Sequence, residues 1–117
     1  MISANNIYWL AGILEGEGCF HCASGKWNSY TPVISLVTTD RDIIDRVKKL
    51  MGTHHAITVN NPLSYYKTAY QYRVTGNLAV QWMMTLLPLM GKRRKEKMEY
   101  LLYAWRFKKS LRRIAKG

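Results

Sequence analysis

Residues 10–18 read LAGILEGEG, with Cys19 and Phe20 following. Two carboxylates, Glu15 and Glu17, stand one residue apart among glycines at the end of an apolar run. An acid beside a glycine at a chain turn can reach outward and offer oxygen donors to a hard cation. Magnesium, which binds through one or two carboxylates together with phosphate, is the ion that suits it. Gly12 and Gly16 lie four apart on one side of the same segment. Glycine costs ~1 kcal/mol against alanine inside a helix, so two of them call for close backbone approach to a neighbour. The chain holds no second copy of this segment. The neighbour expected is therefore the same helix of another subunit, in a two-fold homodimer seam of Gly12 and Gly16 flanked by Leu10 and Ile13. Two copies of Glu17 would then approach each other, and like charges that close need a cation between them. Paired acids with metal beside a phosphodiester are what metal-assisted hydrolysis requires.

CFHC (residues 19–22) offers a different chemistry, zinc or thiol redox, with His54 and His55 as further donors. On a strand, Cys19 and Cys22 point to opposite faces, and no second cysteine pair completes a zinc site. Cys22 facing the core with Cys19 and His21 facing outward is the simpler expectation.

Charge points to a polyanion. The 117 residues carry 18 Lys and Arg against 7 Asp and Glu, a net +11. Eleven of those cations and only two acids lie from Lys92 onward. Such a field suits nucleic acid, and membrane surfaces attract the same charge. No apolar run is long enough to span a bilayer, no signal-like core opens the chain, and two cysteines make no secreted disulfide scaffold. An intracellular, non-secreted protein without a membrane partner is expected. Length and a 48% hydrophobic content set one folded domain, 1–117.

The elements that must position these groups follow from periodicity. Asn5 or Asn6 caps a helix from Ile7 to about Gly16, carrying Glu17 just past its last turn. Strands follow at Cys19–Ser24 and Pro32–Thr38 around a GKWNS turn. A helix capped by Thr39 or Asp40 carries an Ile43, Ile44, Val47, Leu50 and Met51 stripe to Gly52. A short strand over 56–60, a loop and a strand over 69–75 repeat the hairpin. A helix from Gly76 to about Leu87 breaks at Pro88 and Gly91. A last basic helix starts near Lys92 with Met98, Leu101, Leu102 and Trp105 on one stripe. The fold class is α+β, an αββαββα domain with a four-stranded antiparallel sheet, helices on one face, and a basic C-terminal helix.

Strand alternation then sorts the faces. Phe20, Ile34, Leu36, Ile57, Val59, Tyr70, Tyr72 and Val74 belong to the helix side. Cys19, His21, Ser35, Thr58, Asn60, Gln71, Arg73 and Thr75 belong to the open face, with Lys26, Trp27 and Asn28 at a hairpin tip. Such hydrogen-bonding groups suit base edges in a major groove. The basic KRRKEK run, with cations at the unfavourable end of a helix dipole, calls for phosphate. Tyr65 and Tyr66 add exposed aromatics in a loop.

LAGILEGEG resembles the LAGLIDADG motif of homing endonucleases and group I intron maturases, with Ile/Leu and Asp/Glu exchanges. GCF after the motif, PVISLVTTD, KKLMG and LPLMGKRRK extend the resemblance over essentially the whole chain, as a single-motif, homodimeric member with a saddle-like sheet. The resemblance implies that Glu17, at the eighth motif position, binds Mg2+ or another divalent metal, and that Glu15, at the sixth, is a structural or interface residue. It places Thr38 where many members carry glutamine, and Arg93, or Lys92 if the loop shifts by one, beside the scissile phosphate. Glutamate replaces the commoner aspartate at the eighth position, and Thr38 is shorter than glutamine. The implied activity is a metal-dependent staggered double-strand break at a long, nearly palindromic site in duplex DNA, read by the open-face residues. A non-cleaving DNA-binding protein, or a maturase that binds intron RNA, are the alternatives on the same scaffold.

Overall fold

The computed structural model describes the backbone of residues 2–24, 30–52, 56–60 and 67–116, and side chains in those spans except at 23, 24, 30, 60 and 108–116. The chain opens with helix α1 (Ala4–Glu17) and passes directly into strand β1 (Gly18–Ser24). Strand β2 (Tyr30–Thr38), helix α2 (Arg41–Met51), strand β3 (Thr58–Asn60) and strand β4 (Ala69–Thr75) follow. Helix α3 (Gly76–Leu86), a 3₁₀ turn over Leu87–Leu89 and helix α4 (Lys92–Lys116) complete the chain. The order matches the sequence expectation, but α1 starts at Ala4 rather than Ile7 and β2 at Tyr30 rather than Pro32. The short strand is three residues, leaving Ile57 outside it, and α4 runs to 25 residues.

The cap of α1 also differs from expectation. Ser3, not Asn5 or Asn6, is the N-cap, and its Oγ accepts the Asn6 amide at 3.3 Å. Serine in an extended conformation reaches the third helical amide with the short side chain that this bond needs. At the other ends, Gly52 closes α2 in the left-handed region at φ 64°, as its position after Met51 predicts. Gly76 turns β4 into α3 at φ 69°.

All strands pair antiparallel in the order β1-β2-β4-β3. The even-numbered side chains of β1, β2 and β4 meet the helices. Phe20, Ile34, Leu36, Tyr72 and Val74 form one cluster with Leu10, Ala11 and Leu14 of α1, Ile44, Val47 and Met51 of α2, Ala79, Met83 and Leu86 of α3, and Met98 and Leu101 of α4. Burying an aliphatic or aromatic side chain of this size stabilises by about 1.5–3 kcal/mol, so this cluster is the main source of stability. Polar contacts then fix the helices against one another. Arg46 of α2 lies 3.9 Å over the Trp9 ring of α1 and donates to Asn6 Oδ1 at 3.2 Å. Trp82 Nε1 of α3 donates to the Met51 carbonyl, an open acceptor at the end of α2, at 3.3 Å.

Two expected placements are overturned. Leu10 is fully buried in this intrachain core, so it cannot line a subunit seam. Val59 has helix-side parity opposite Tyr70 yet is 55% exposed, because β3 is the edge strand and extends past the helices. No helix among the described residues is long and apolar enough to cross a membrane.

Tyr72 is the one core residue with an unsatisfied group among the described residues. Its hydroxyl is buried without a hydrogen-bond partner, and burial pushes its pKa up to about 12. Leaving such a donor unpaired costs about 1–3 kcal/mol. Tyr72→Phe is therefore expected to keep or raise stability, by up to ~1 kcal/mol in urea unfolding. A loss of more than that would mean that the hydroxyl has a partner.

Candidate active site

The site is built at the point where α1 becomes β1. Glu17 is the last helical residue and is exposed. Gly18 begins the strand with no intervening linker, in extended conformation. A Cβ on Gly18 would lie 2.6 Å from the Leu14 carbonyl oxygen and 2.9 Å from Leu14 Cα. Those are backbone atoms that cannot yield, so only glycine lets the strand start flush against the last turn. The Gly18 amide also caps that turn by donating to Leu14 O.

A single arginine then binds this corner. Arg94 Nε donates to the Glu15 carbonyl and Nη1 to the Gly18 carbonyl, both at 2.7 Å. Its Nε lies 3.7 Å from Glu15 Oε2, and the guanidinium sits 5.7 Å from the Phe20 ring centroid. The same Glu15 oxygen, Oε2, accepts the Gly91 amide at 3.3 Å. Gly91 precedes α4 and its carbonyl accepts the Lys95 amide, so Glu15 places negative charge at the start of that helix. Glu15 thus ties the end of α1 to the start of α4 within the chain.

Arg94 is the residue that sequence reasoning missed in favour of Arg93 and Lys92. The signal was present: one turn before Met98 on the buried stripe comes position 94. A cation on an apolar stripe must find acceptors, and the carbonyls of the α1 corner supply them.

Arg93 and Lys92 are both exposed. Arg93 lines an open cavity of about 620 Å³ together with Gly18, Cys19, Phe20, Arg94, Glu96 and Lys97. Three cations face one carboxylate there, which makes the cavity attractive to an anion such as phosphate. Lys92 is not among its walls. Thr38 is not either. It lies opposite Tyr70 on the helix side of the sheet, and its Oγ1 accepts the Asp40 amide at 3.1 Å ahead of α2.

The open face carries the odd-numbered side chains in three rows across the strands. They are His21–Val33–Thr75, Cys19–Ser35–Arg73 and Val37–Gln71–Thr58. Cys19, Thr58 and Arg73 are exposed, and His21, Gln71 and Thr75 are half-buried. Ser35 is only 7% exposed, which corrects its expected place among surface contacts. It is a short side chain on a central strand, flanked by Cys19 and Arg73. Lys26, Trp27, Asn28, Tyr65, Tyr66, His54 and His55 lie outside the described residues, as does the side chain of Asn60.

Cys19 Sγ and His21 Nδ1 stand 3.7 Å apart on this face. Cys22 packs against the core, where burial pushes its thiol pKa up and Lys97 opposes that shift. Among the described residues, no group of three or more His, Cys, Asp or Glu gathers to hold a metal. The donor set at the corner is one exposed carboxylate per chain. Its oxygens suit magnesium or calcium, and a complete shell needs oxygens from elsewhere, such as phosphate or a second Glu17.

On the helix flank, Gly12 and Gly16 are exposed, and a Cβ at either would meet no atom within 4 Å. No contact among the described residues therefore explains them. They lie with the half-buried Ile13 and the exposed Tyr8 on an open strip of α1.

With this geometry in place, comparison with solved structures is specific. The homing endonuclease I-CvuI in complex with its target, in the presence of calcium, superposes with TM-score 0.66 and 18% identity over 87% of this chain and 66% of that one. The group I intron-encoded homing endonuclease I-CeuI, complexed with DNA, gives TM-score 0.68 and 9% identity over 94% and 58%. The I-LtrWI LAGLIDADG homing endonuclease, bound to target DNA, gives 0.71 and 12% over 92% and 39%. The fold is that of the LAGLIDADG homing endonucleases. The chain spans 66% or less of the length of these three proteins. No protein-family model matches it, and no curated protein does.

Two expectations follow from the corner and the open face. Gly18→Ala forces a methyl against the Leu14 backbone and is expected to cost about 2 kcal/mol or more, read as a lower midpoint in denaturant unfolding. His21 is held below its ordinary pKa of 6.5, first by burial and then by Arg73 and Lys97. Between that lowered value and 6.5 the unfolded chain binds more protons, so stability falls as pH drops through the window. His21→Gln should flatten this acid-side decline in melting temperature between about pH 7.5 and pH 5.5.

Proposed function

We propose that the chain is a site-specific DNA endonuclease that works as a two-fold homodimer and hydrolyses one phosphodiester on each strand. The observation that carries this reading is Glu17, an exposed carboxylate fixed at the helix–strand corner beside a cavity lined by Arg93, Arg94 and Lys97. The LAGLIDADG fold, the match of LAGILEGEG to that corner and the net +11 support it.

The dimer is supported by the open strip on α1. Gly12 and Gly16 with open space above them allow a second α1 to approach closely, with Ile13 and Tyr8 at the sides. Each chain brings one Glu17, so the pair supplies the two carboxylates that a shared cation site uses. A divalent cation held there supplies Lewis-acid stabilisation of the charge that develops on the phosphate. Arg93 and Lys97 hold the phosphate oxygens in the adjoining cavity. Arg94, engaged with carbonyls, contributes its charge without reaching outward. On the sheet, Gln71, Arg73, Thr75, Thr58 and His21 meet base edges, while Val33 and Ser35 form a low floor between them.

The test is a cleavage selection on a library of near-palindromic duplexes, with magnesium and with chelator, using the chain and Glu17→Gln. Paired staggered ends that need both magnesium and Glu17 are expected, with a loss of roughly 10²-fold or more in the variant. Light scattering should give twice the chain mass. Selective retention of duplexes by both proteins, with no ends under any condition, would instead identify a binding protein that does not cut.

A further inference from the structure

We propose that Arg94 is the positioning residue of this site, setting where Glu17 and Arg93 stand relative to each other. The proposal rests on the reading of Glu17 as a metal ligand and gives it a mechanism. Among the described residues, no hydrogen bond or ion pair holds the Glu17 carboxylate. Its place is therefore set by the backbone on either side of it.

Among the described residues, Arg94 is the one side chain that hydrogen-bonds to that backbone. The two carbonyls it takes, at Glu15 and Gly18, bracket Glu17 in sequence, and both bonds are 2.7 Å. Charge-assisted bonds of this length are about twice as strong as neutral ones. The side chain is only 18% exposed, so solvent screens these bonds weakly. The guanidinium is planar and donates from Nε and Nη1 at once, and that two-pronged shape matches two carbonyls on successive turns of the corner. An ammonium can occupy the same space but not span both acceptors in fixed geometry.

The other end of the link is α4. Arg94 follows Arg93, and Gly91 just before them donates to the Glu15 carboxylate at 3.3 Å. One side chain thereby ties the segment that carries the acid to the segment that carries the exposed cation. If it is lost, α1 and α4 still meet through Met98, Leu101 and the core, but the corner is free to shift. Displacement of a reacting group by about 1 Å can cost 10²-fold in rate.

The experiment compares the full chain with Arg94→Lys, Arg94→Ala and Glu17→Gln. Manganese is titrated onto each protein bound to a mixed-sequence duplex, and free ion is read by electron paramagnetic resonance. Duplex affinity in chelator and melting temperature are measured beside it. In the native protein, one class of bound manganese should vanish on Glu17→Gln. Arg94→Ala should weaken that class by roughly tenfold or more, and Arg94→Lys, which keeps the positive charge at the cavity, by an intermediate factor, with duplex affinity in chelator falling by less than manganese affinity in both. Under magnesium, single-turnover cleavage should need correspondingly more metal. A folded Arg94→Lys protein with native manganese affinity and native metal demand would overturn the proposal, and it decides the matter if Arg94→Ala does not fold. Manganese binding indifferent to Glu17→Gln would overturn the metal-ligand reading itself, and the positioning role with it. The two failures are thus distinct.

Discussion

Everything at the working end of this molecule depends on a corner without a linker. The last residue of α1 is Glu17 and the first of β1 is Gly18. A helix ends with carbonyls that have lost their partners, and a strand needs its own groups free for the ladder. The chain resolves both demands inside four residues. Gly18 lets the strand start against Leu14, its amide closes the final turn, and a guanidinium from α4 takes the carbonyls of Glu15 and Gly18. The same contact brings opposite dipole ends together. The negative end of α1 receives Arg94, while the start of α4 receives the Glu15 carboxylate, which offsets the cations crowded there.

That arrangement explains why an acid at an unfavourable position is tolerated. A carboxylate at a helix C-terminus works against the macrodipole by ~0.3–1 kcal/mol. Here the neighbouring positive charge compensates the helix end without pairing with Glu17, which stays exposed. The corner is therefore stable and still carries an uncommitted acid. Charge elsewhere follows the same division. The buried stripe of α4 stops at Leu101 among the described residues, and its first turn carries Arg93 beside the cavity.

Much of the fold could be read from the sequence because its periods are clean. Alternation in Ile34–Leu36 and Tyr70–Tyr72–Val74, and the helical stripe from Ile44 to Met51, correspond to faces that are buried. Gly52 and Pro88 mark ends for local reasons that need no tertiary context. Glu17 was legible because two glycines in a helix and an acid at its end are costly without a purpose. The misses share a cause: each needed the third dimension. Leu10 and Ile13 look alike on a helical wheel, and only packing shows that one is core. Ser35 has the right parity for the open face, but a short side chain between two longer ones is covered. Val59 has the parity of a core residue and lies on a strand too peripheral to be covered. Arg94 was hidden among four consecutive cations, though its phase with Met98 set it apart.

The strict alternation along β1, β2 and β4 has an evolutionary consequence. Residues that hold the sheet to the helices and residues of its open face are interleaved in sequence and point to opposite sides of the sheet. Gln71, Arg73 and Thr75 can therefore vary in character while Tyr72 and Val74 between them keep their side chains against the helices. A sheet built this way can change its open surface one residue at a time without touching the corner at Glu17.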